Sequence, residues 1–168
     1  MKVKEIMTRD ARSCAPETSA RKAAEIMREA DCGALPVVHK GKTSGMITDR
    51  DICLALAERN RLPSDLQVEE AMSRALYVCA EEDEVEKALA TMRGHQVRRL
   101  PVVDGNGVLR GIVSFNDVAL HAVEKGDGHA IPYEEAMKTL KAICGHRHAG
   151  PPTPKGRPAA RAQSRVQP

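Results

Sequence analysis

The chain has 168 residues, 42 % apolar and 29 % charged, the make-up of a soluble globular protein with room for one ordinary core or two small ones. No apolar run approaches the ~20 residues of a membrane span, and the charged N-terminus MKVKEIMTRD lacks a secretory signal's apolar stretch, so a cytoplasmic location is expected. The net charge of +3 belongs to the end of the chain: from Gly145 onward there are five basic residues and no acid, leaving residues 1–144 with 21 basic against 23 acidic side chains. That balance, with only three aromatics, argues against a nucleic-acid-binding body.

In chain order, a short extended piece at RSCAP (12–16) precedes an amphipathic helix with Ala20, Ala23, Ala24 and Met27 at helical spacing. Two apolar strands follow, ALPVVH (34–39) and SGMIT (44–48), joined by the glycine-bearing turn KGKT. Proline inside LPVV removes a ladder donor and predicts an edge position, or a strand that enters the sheet there. A second helix starts at GMITDRDI (45–52) and runs to about Arg59.

The same series then repeats. Shifted by 65 residues, Val3, Glu5 and Met7 fall on Val68, Glu70 and Met72, Cys14 falls on Cys79, and LPVV (35–38) falls on LPVV (100–103). One inserted residue moves the offset to 66, and Gly45 and Asp51 meet Gly111 and Asp117 of GIVSFNDV (111–118). The second copy thus predicts an extended piece at LYVCA, a helix with Val85, Ala88, Leu89 and Met92 inward, strands RLPVVD and LRGIVS, and a helix to about Lys125. The fold class is α+β: two β-α-β-β-α repeats, residues 1–61 and 62–126, too small to be stable singly and packed sheet to sheet over a shared core. Residues 127–144 add a helix with Tyr133, Met137, Leu140 and Cys144 on one face and Pro132 in the first turn, expected to dock on the module or a partner subunit. The Pro/Ala/Arg-rich residues 145–168 are expected to be disordered.

Two tandem copies of GALPVVHKGKTSGMITDRDI and VRRLPVVDGNGVLRGIVSFNDV resemble a pair of CBS domains, the cystathionine-β-synthase-type regulatory module, over about residues 3–126. The arrangement is similar to small stand-alone bacterial CBS-pair proteins. The resemblance implies two clefts about a pseudo-twofold axis, homodimers, a protein partner as output, and no obligatory cofactor. It also implies AMP, ADP, ATP or S-adenosylmethionine as regulatory ligand. In the family pattern the last acid of the motif holds the ribose hydroxyls, which maps to Asp51 and Asp117. A basic residue just before the strand's leucine reaches phosphate, which maps to Arg99 with Arg98 beside it.

The chemistry is coherent. A carboxylate accepts from two adjacent hydroxyls, and a helix start with Thr48 or Ser114 offers a hydroxyl, backbone N–H groups and a favourable dipole to a phosphate. Gly45 and Gly111 let a ligand or a neighbouring backbone come close. The same four-residue pattern is also close to a helix capping box needing no ligand. Arg98 and Arg99 either clamp a phosphate, in which case their cleft prefers the more phosphorylated ligand, or pair with surface acids such as those at 81–84. Tyr77 either packs on a base or is a plain strand residue. Five scattered cysteines read as reduced core thiols, and Cys144, His146 and His148 do not make a convincing metal site. No GxxxxGK loop or nucleophile–base set is present, so the chain reads as a regulatory module and not an enzyme. The rival readings are a ligand-free dimeric scaffold acting through its surface, helix and tail, or a dimeriser whose basic tail grips nucleic acid or an acidic partner.

Overall fold

The structure, a computed structural model, describes residues 1–124 and 130–145. The first copy runs through α1 (Val3–Ile6), β1 (Thr8–Arg9), α2 (Ala20–Glu29), β2 (Ala34–His39), β3 (Lys42–Thr48) and α3 (Asp49–Arg59). The second has α4 (Val68–Ala71), α5 (Val85–His95), β4 (Arg99–Val103), β5 (Leu109–Ser114) and α6 (Phe115–His121). Beyond it come β6 (Ala122–Val123), β7 (Ile131–Pro132) and α7 (Tyr133–Cys144).

The hairpins match residue for residue. β2 pairs with β3 with a register shift at Val37/Val38, and β4 pairs with β5 with the same shift at Val102/Val103. The extended pieces contribute one parallel bridge each, Cys14 to Val37 and Cys79 to Val102. These bridges explain the prolines. Cys14 N–H donates to Pro36 O at 3.1 Å and Val38 N–H to Cys14 O at 2.9 Å, so residues 36 and 38 turn their polar groups away from β3. The strand is therefore not a bare edge, and the missing proline N–H falls on the side where only an acceptor is used.

Packing does not follow the division of the sequence at residue 61. Val3, Ile6 and Met7 lie in one core with Val85, Leu89, Met92, Leu100 and Val113, whereas Leu66 and Val68 lie in the other with Ala23, Met27, Leu35 and Ile47. Each copy's opening turn is thus built into its neighbour. Val3 N–H donates to Asp83 O, Lys4 N–H to Glu81 O, and Met1 O accepts from Val85. At the equivalent places Val68 donates to Thr18, Glu69 to Pro16, and Leu66 O accepts from Ala20. The chain then crosses to the far hairpin: Thr8 and Arg9 pair with Ile112 and Gly111, as Ser73 does with Met46.

These crossings identify the role of the repeated glycines. A Cβ on Gly45 would stand 2.7 Å from Ser73 O, and one on Gly111 2.5 Å from Thr8 O. Of the two approaches that glycine allows, the structure uses the neighbouring backbone.

Three expectations change. In α2 the inward residues are Ala20, Ala23 and Met27, with Ala24 exposed and Ile26 half-buried. Helix α6 stops at His121, because Ala122 turns extended and pairs with Ile131; Lys125 lies outside the described residues. Helix α7 docks on the module, but through a different face. Thr139 is fully buried and Ala136 nearly so, while Tyr133 and Met137 are 56 % and 51 % exposed and Cys144 is exposed. The polar residue goes inward because it is satisfied: Arg93 of α5 donates to Thr139 Oγ1 (2.8 Å) and Glu135 Oε2 (3.0 Å), and Thr139 Oγ1 donates to Glu135 O. Pro132 is the cap residue rather than part of the first turn.

Replacing Gly45 or Gly111 by alanine should therefore destabilise the fold by ~1–3 kcal/mol, since backbone has to move. Gly94→Ala in α5, where an added Cβ meets nothing within 4 Å, should stabilise by up to ~1 kcal/mol. Urea unfolding of the three variants checks both signs.

Candidate functional site

The repeated motif folds as a capping box in both copies. Thr48 Oγ1 accepts from Asp51 N–H (3.1 Å), while Asp51 Oδ2 accepts from Thr48 N–H (3.0 Å) and from the Thr48 hydroxyl (2.7 Å). Ser114 and Asp117 repeat this, with the corresponding distances 3.3, 2.7 and 2.7 Å. In both, Oδ2 carries all these bonds, and Oδ1 takes no donor from the described residues. A ligand hydroxyl is thus compatible with an intact cap.

The helix start itself is less available than the sequence suggests. Asp49 N–H donates to Gly33 O at 3.3 Å, Arg50 N–H to Asp49 Oδ1 at 2.7 Å, and Asp51 N–H to Thr48. The first three N–H groups of α3 are all engaged, so an anion would depend on side chains there.

Those side chains are at hand. A cavity of about 510 Å³ holds Thr48 and Asp51 of the first copy together with Arg98 and Arg99 of the second, a size suited to a small organic ligand. Arg50, Tyr77 and Gln96 join its lining. Gly45, Gly111, Ser114 and Asp117 lie outside it. The acids that might have paired with the arginines are taken: Glu81 by Arg9, Glu82 by Lys4, Asp83 by Lys87, and Glu84 by Lys2 and the N-terminal amine. Among the described residues, Arg98 and Arg99 have no carboxylate within ion-pair distance, and the backbone carbonyl of Arg98 accepts from Phe115 N–H at 2.8 Å. At the equivalent positions of the first copy stand Gly33 and Ala34. The pseudo-twofold therefore breaks in charge at this point.

A family model described as CBS domain matches residues 3–58 and 68–124. The chain belongs to the CBS domain family. The CBS domain-containing protein YhcV of Bacillus subtilis is 38 % identical over 119 residues, covering 71 % of this chain and 84 % of that protein. Among solved structures, the CBS domain pair of MJ0100, in complex with 5′-methylthioadenosine and S-adenosyl-L-methionine, is 29 % identical with a TM-score of 0.65, over 71 % of this chain and 94 % of that one. Hypoxic Response Protein I, solved with two coordinated zinc ions, is 31 % identical with a TM-score of 0.66, over 72 % and 98 %. The match of this CBS pair to the family stops before α7.

Sequence reasoning did not place Gln96 or Arg50 at the cavity; Tyr77, left open between a base contact and a plain strand residue, lines it with its ring stacked on His95, centroids 3.7 Å and planes 13° apart. Gln96 had a signal only in retrospect: it ends α5 in the left-handed region (φ 52°) directly ahead of the arginines. Among the described residues no group of three His, Cys, Asp or Glu is placed to hold a metal; His146 and His148 lie outside them. No described helix is long and apolar enough to cross a membrane.

The thiols divide by burial. Loss of hydration pushes Cys14 up to about 11 and Cys79 up to about 12, Asp83 adding to the latter, so both are neutral core groups. Cys53 and Cys144 are exposed. Titration with a chromogenic disulfide at pH 7.5 should modify Cys53 and Cys144 rapidly, with Cys14 and Cys79 reacting only on unfolding.

Proposed function

We propose that this CBS pair is a non-enzymatic regulatory module that binds an adenine nucleotide in the cleft between Asp51 and Arg98–Arg99 and passes the signal on through protein contacts. One arrangement carries the reading: a carboxylate with an uncommitted oxygen from one copy faces two guanidiniums, without carboxylate partners, from the other. Asp51 Oδ1 suits a ribose diol, the arginines suit phosphate, and Tyr77 offers a flat apolar surface to a base. That MJ0100 holds adenosine compounds in the same fold supports the ligand class. In this reading the arginines, which Gly33 and Ala34 replace in the first copy, make the cleft favour ATP or ADP over AMP or S-adenosylmethionine.

Thermal unfolding with AMP, ADP, ATP and S-adenosylmethionine tests it. A nucleotide at one hundred times its Kd should add ~2.7 kcal/mol of stability. Asp51→Asn keeps an acceptor for the cap while losing the charge, so it should weaken binding about tenfold or more with little change in the free protein. Asp117→Asn should leave binding unchanged, and Arg98→Ala or Arg99→Ala should cost ATP more than AMP. No stabilisation by any of the four would favour a ligand-free scaffold.

The output surface, in this proposal, is a homodimer face made by α3 and α6. Leu54 and Leu120 are equivalent under the 66-residue offset and are 48 % and 82 % exposed. Two large apolar residues left outside at twofold-related places suit a self-complementary contact. Leu120→Asp should shift the protein from dimer to monomer in sedimentation equilibrium without lowering its helicity. A wild-type protein that sediments as a monomer would send the search for a partner elsewhere.

A further inference from the structure

Helix α7 is not part of the repeated unit, yet its last turn reaches the cleft: Ile143 and Cys144 border the same cavity as Asp51 and Arg99. Ile143 packs that turn on the core, and one side chain fastens its carbonyls. Gln96 Nε2 donates to Ala142 O (3.1 Å) and to Gly145 O (2.9 Å), serving carbonyls at the end of α7, where a helix lacks N–H donors of its own. Gly145 N–H closes the helix on Lys141 O at 2.9 Å. Gln96 itself lines the cavity and stands two residues ahead of Arg98.

We propose that Gln96 and the C-terminal turn of α7 form a wall of the nucleotide cleft whose docking is coupled to occupancy: ligand in the cleft holds α7 down, and release of α7 weakens the ligand. The inference rests on the nucleotide reading of the cleft given above and adds its regulation.

The coupling follows from geometry. One four-residue segment, 96–99, carries both the clamp on α7 and the two arginines, so a ligand that fixes the arginines also fixes the clamp. Ligand contact with the Ile143 wall exists only while α7 is docked, which gives the ligand a differential affinity for the docked state, as any shift of an equilibrium requires. The far part of α7 has its own attachment through Arg93, Glu135 and Thr139, so the last turn can loosen while the helix stays in place. Gln96 acts here as a positioning residue.

A discriminating variant exists because Gln96 has φ 52°, a conformation glycine adopts without strain. Gln96→Gly removes both bonds to α7 while relieving the backbone, so a change in binding would not be a side effect of unfolding.

The experiment combines calorimetric titration of ADP with hydrogen exchange of the segment Tyr133–Cys144, on full-length wild type and Gln96→Gly. For the wild type, ADP should slow exchange of the last turn of α7. For Gln96→Gly, the last turn should exchange faster without ligand, ADP affinity should fall about tenfold, as expected for two lost hydrogen bonds, and ADP should no longer protect the turn. Wild type that binds ADP with no change in α7 exchange, or Gln96→Gly that binds ADP as tightly as wild type, overturns the coupling and leaves the cleft reading standing. Absence of ADP binding to wild type overturns the cleft reading and this inference with it.

Discussion

The close passage of one backbone over another at Gly45 and Gly111 is the constraint on which the rest of the molecule depends. Each copy is short of apolar area, and each remedies this by sending its opening turn into the other's core. That turn has to cross the neighbouring hairpin at a distance no Cβ tolerates. Once the crossings are made, the copies cannot separate without exposing Val3, Ile6 and Met7 on one side and Leu66 and Val68 on the other. Two sequence repeats become one cooperative unit, and the residues two and three places after the glycines, Ile47–Thr48 and Val113–Ser114, are fixed relative to the opposite copy.

That rigidity is what the proposed second use of the motif draws on. A capping box is ordinarily a local device, worth ~1 kcal/mol at a helix end. Here it also holds a carboxylate at the cavity, since Oδ2 is committed to Thr48 while Oδ1 takes no donor from the described residues. The cost of this arrangement is visible at the helix start, where N–H groups that could have met an anion are spent on Gly33, Asp49 and Thr48. Positive charge then has to come from elsewhere, and the residues facing Asp51 from the second copy are arginines.

Much of this was legible in the sequence because it is written twice. Internal repetition located the strands, the turns and both helices of each copy, and the pairing of Thr48 with Asp51 was readable from spacing alone. The one-turn helices α1 and α4 were not, because four residues carry no periodic signal and such helices form only when packed. The exchange of these turns was hidden for the same reason. The face of α7 was misread because hydropathy placed Tyr133 and Met137 inward, whereas a hydrogen bond from Arg93 made burial of Thr139 acceptable. The arginines were found from the sequence, but not the fact that they line a cleft with the first copy's motif, since that depends on how the copies pack.

Duplication by itself makes the two copies equivalent and gives no reason to prefer one motif over the other. The preference comes from what departs from the repeat. Arg98 and Arg99 stand where the first copy has Gly33 and Ala34, all four lining one cavity, and α7 has no counterpart in the first copy. Both departures meet at the same cavity, joined through Gln96. In the first copy a Cβ on Gly33 would stand 2.9 Å from the Asp49 carboxylate, the movable end of a side chain; in the second, Phe115 takes that aspartate's place and packs against the core. The two changes fall on neighbouring residues, since Phe115 N–H donates to Arg98 O as Asp49 N–H does to Gly33 O, so the backbone keeps the symmetry that the side chains break.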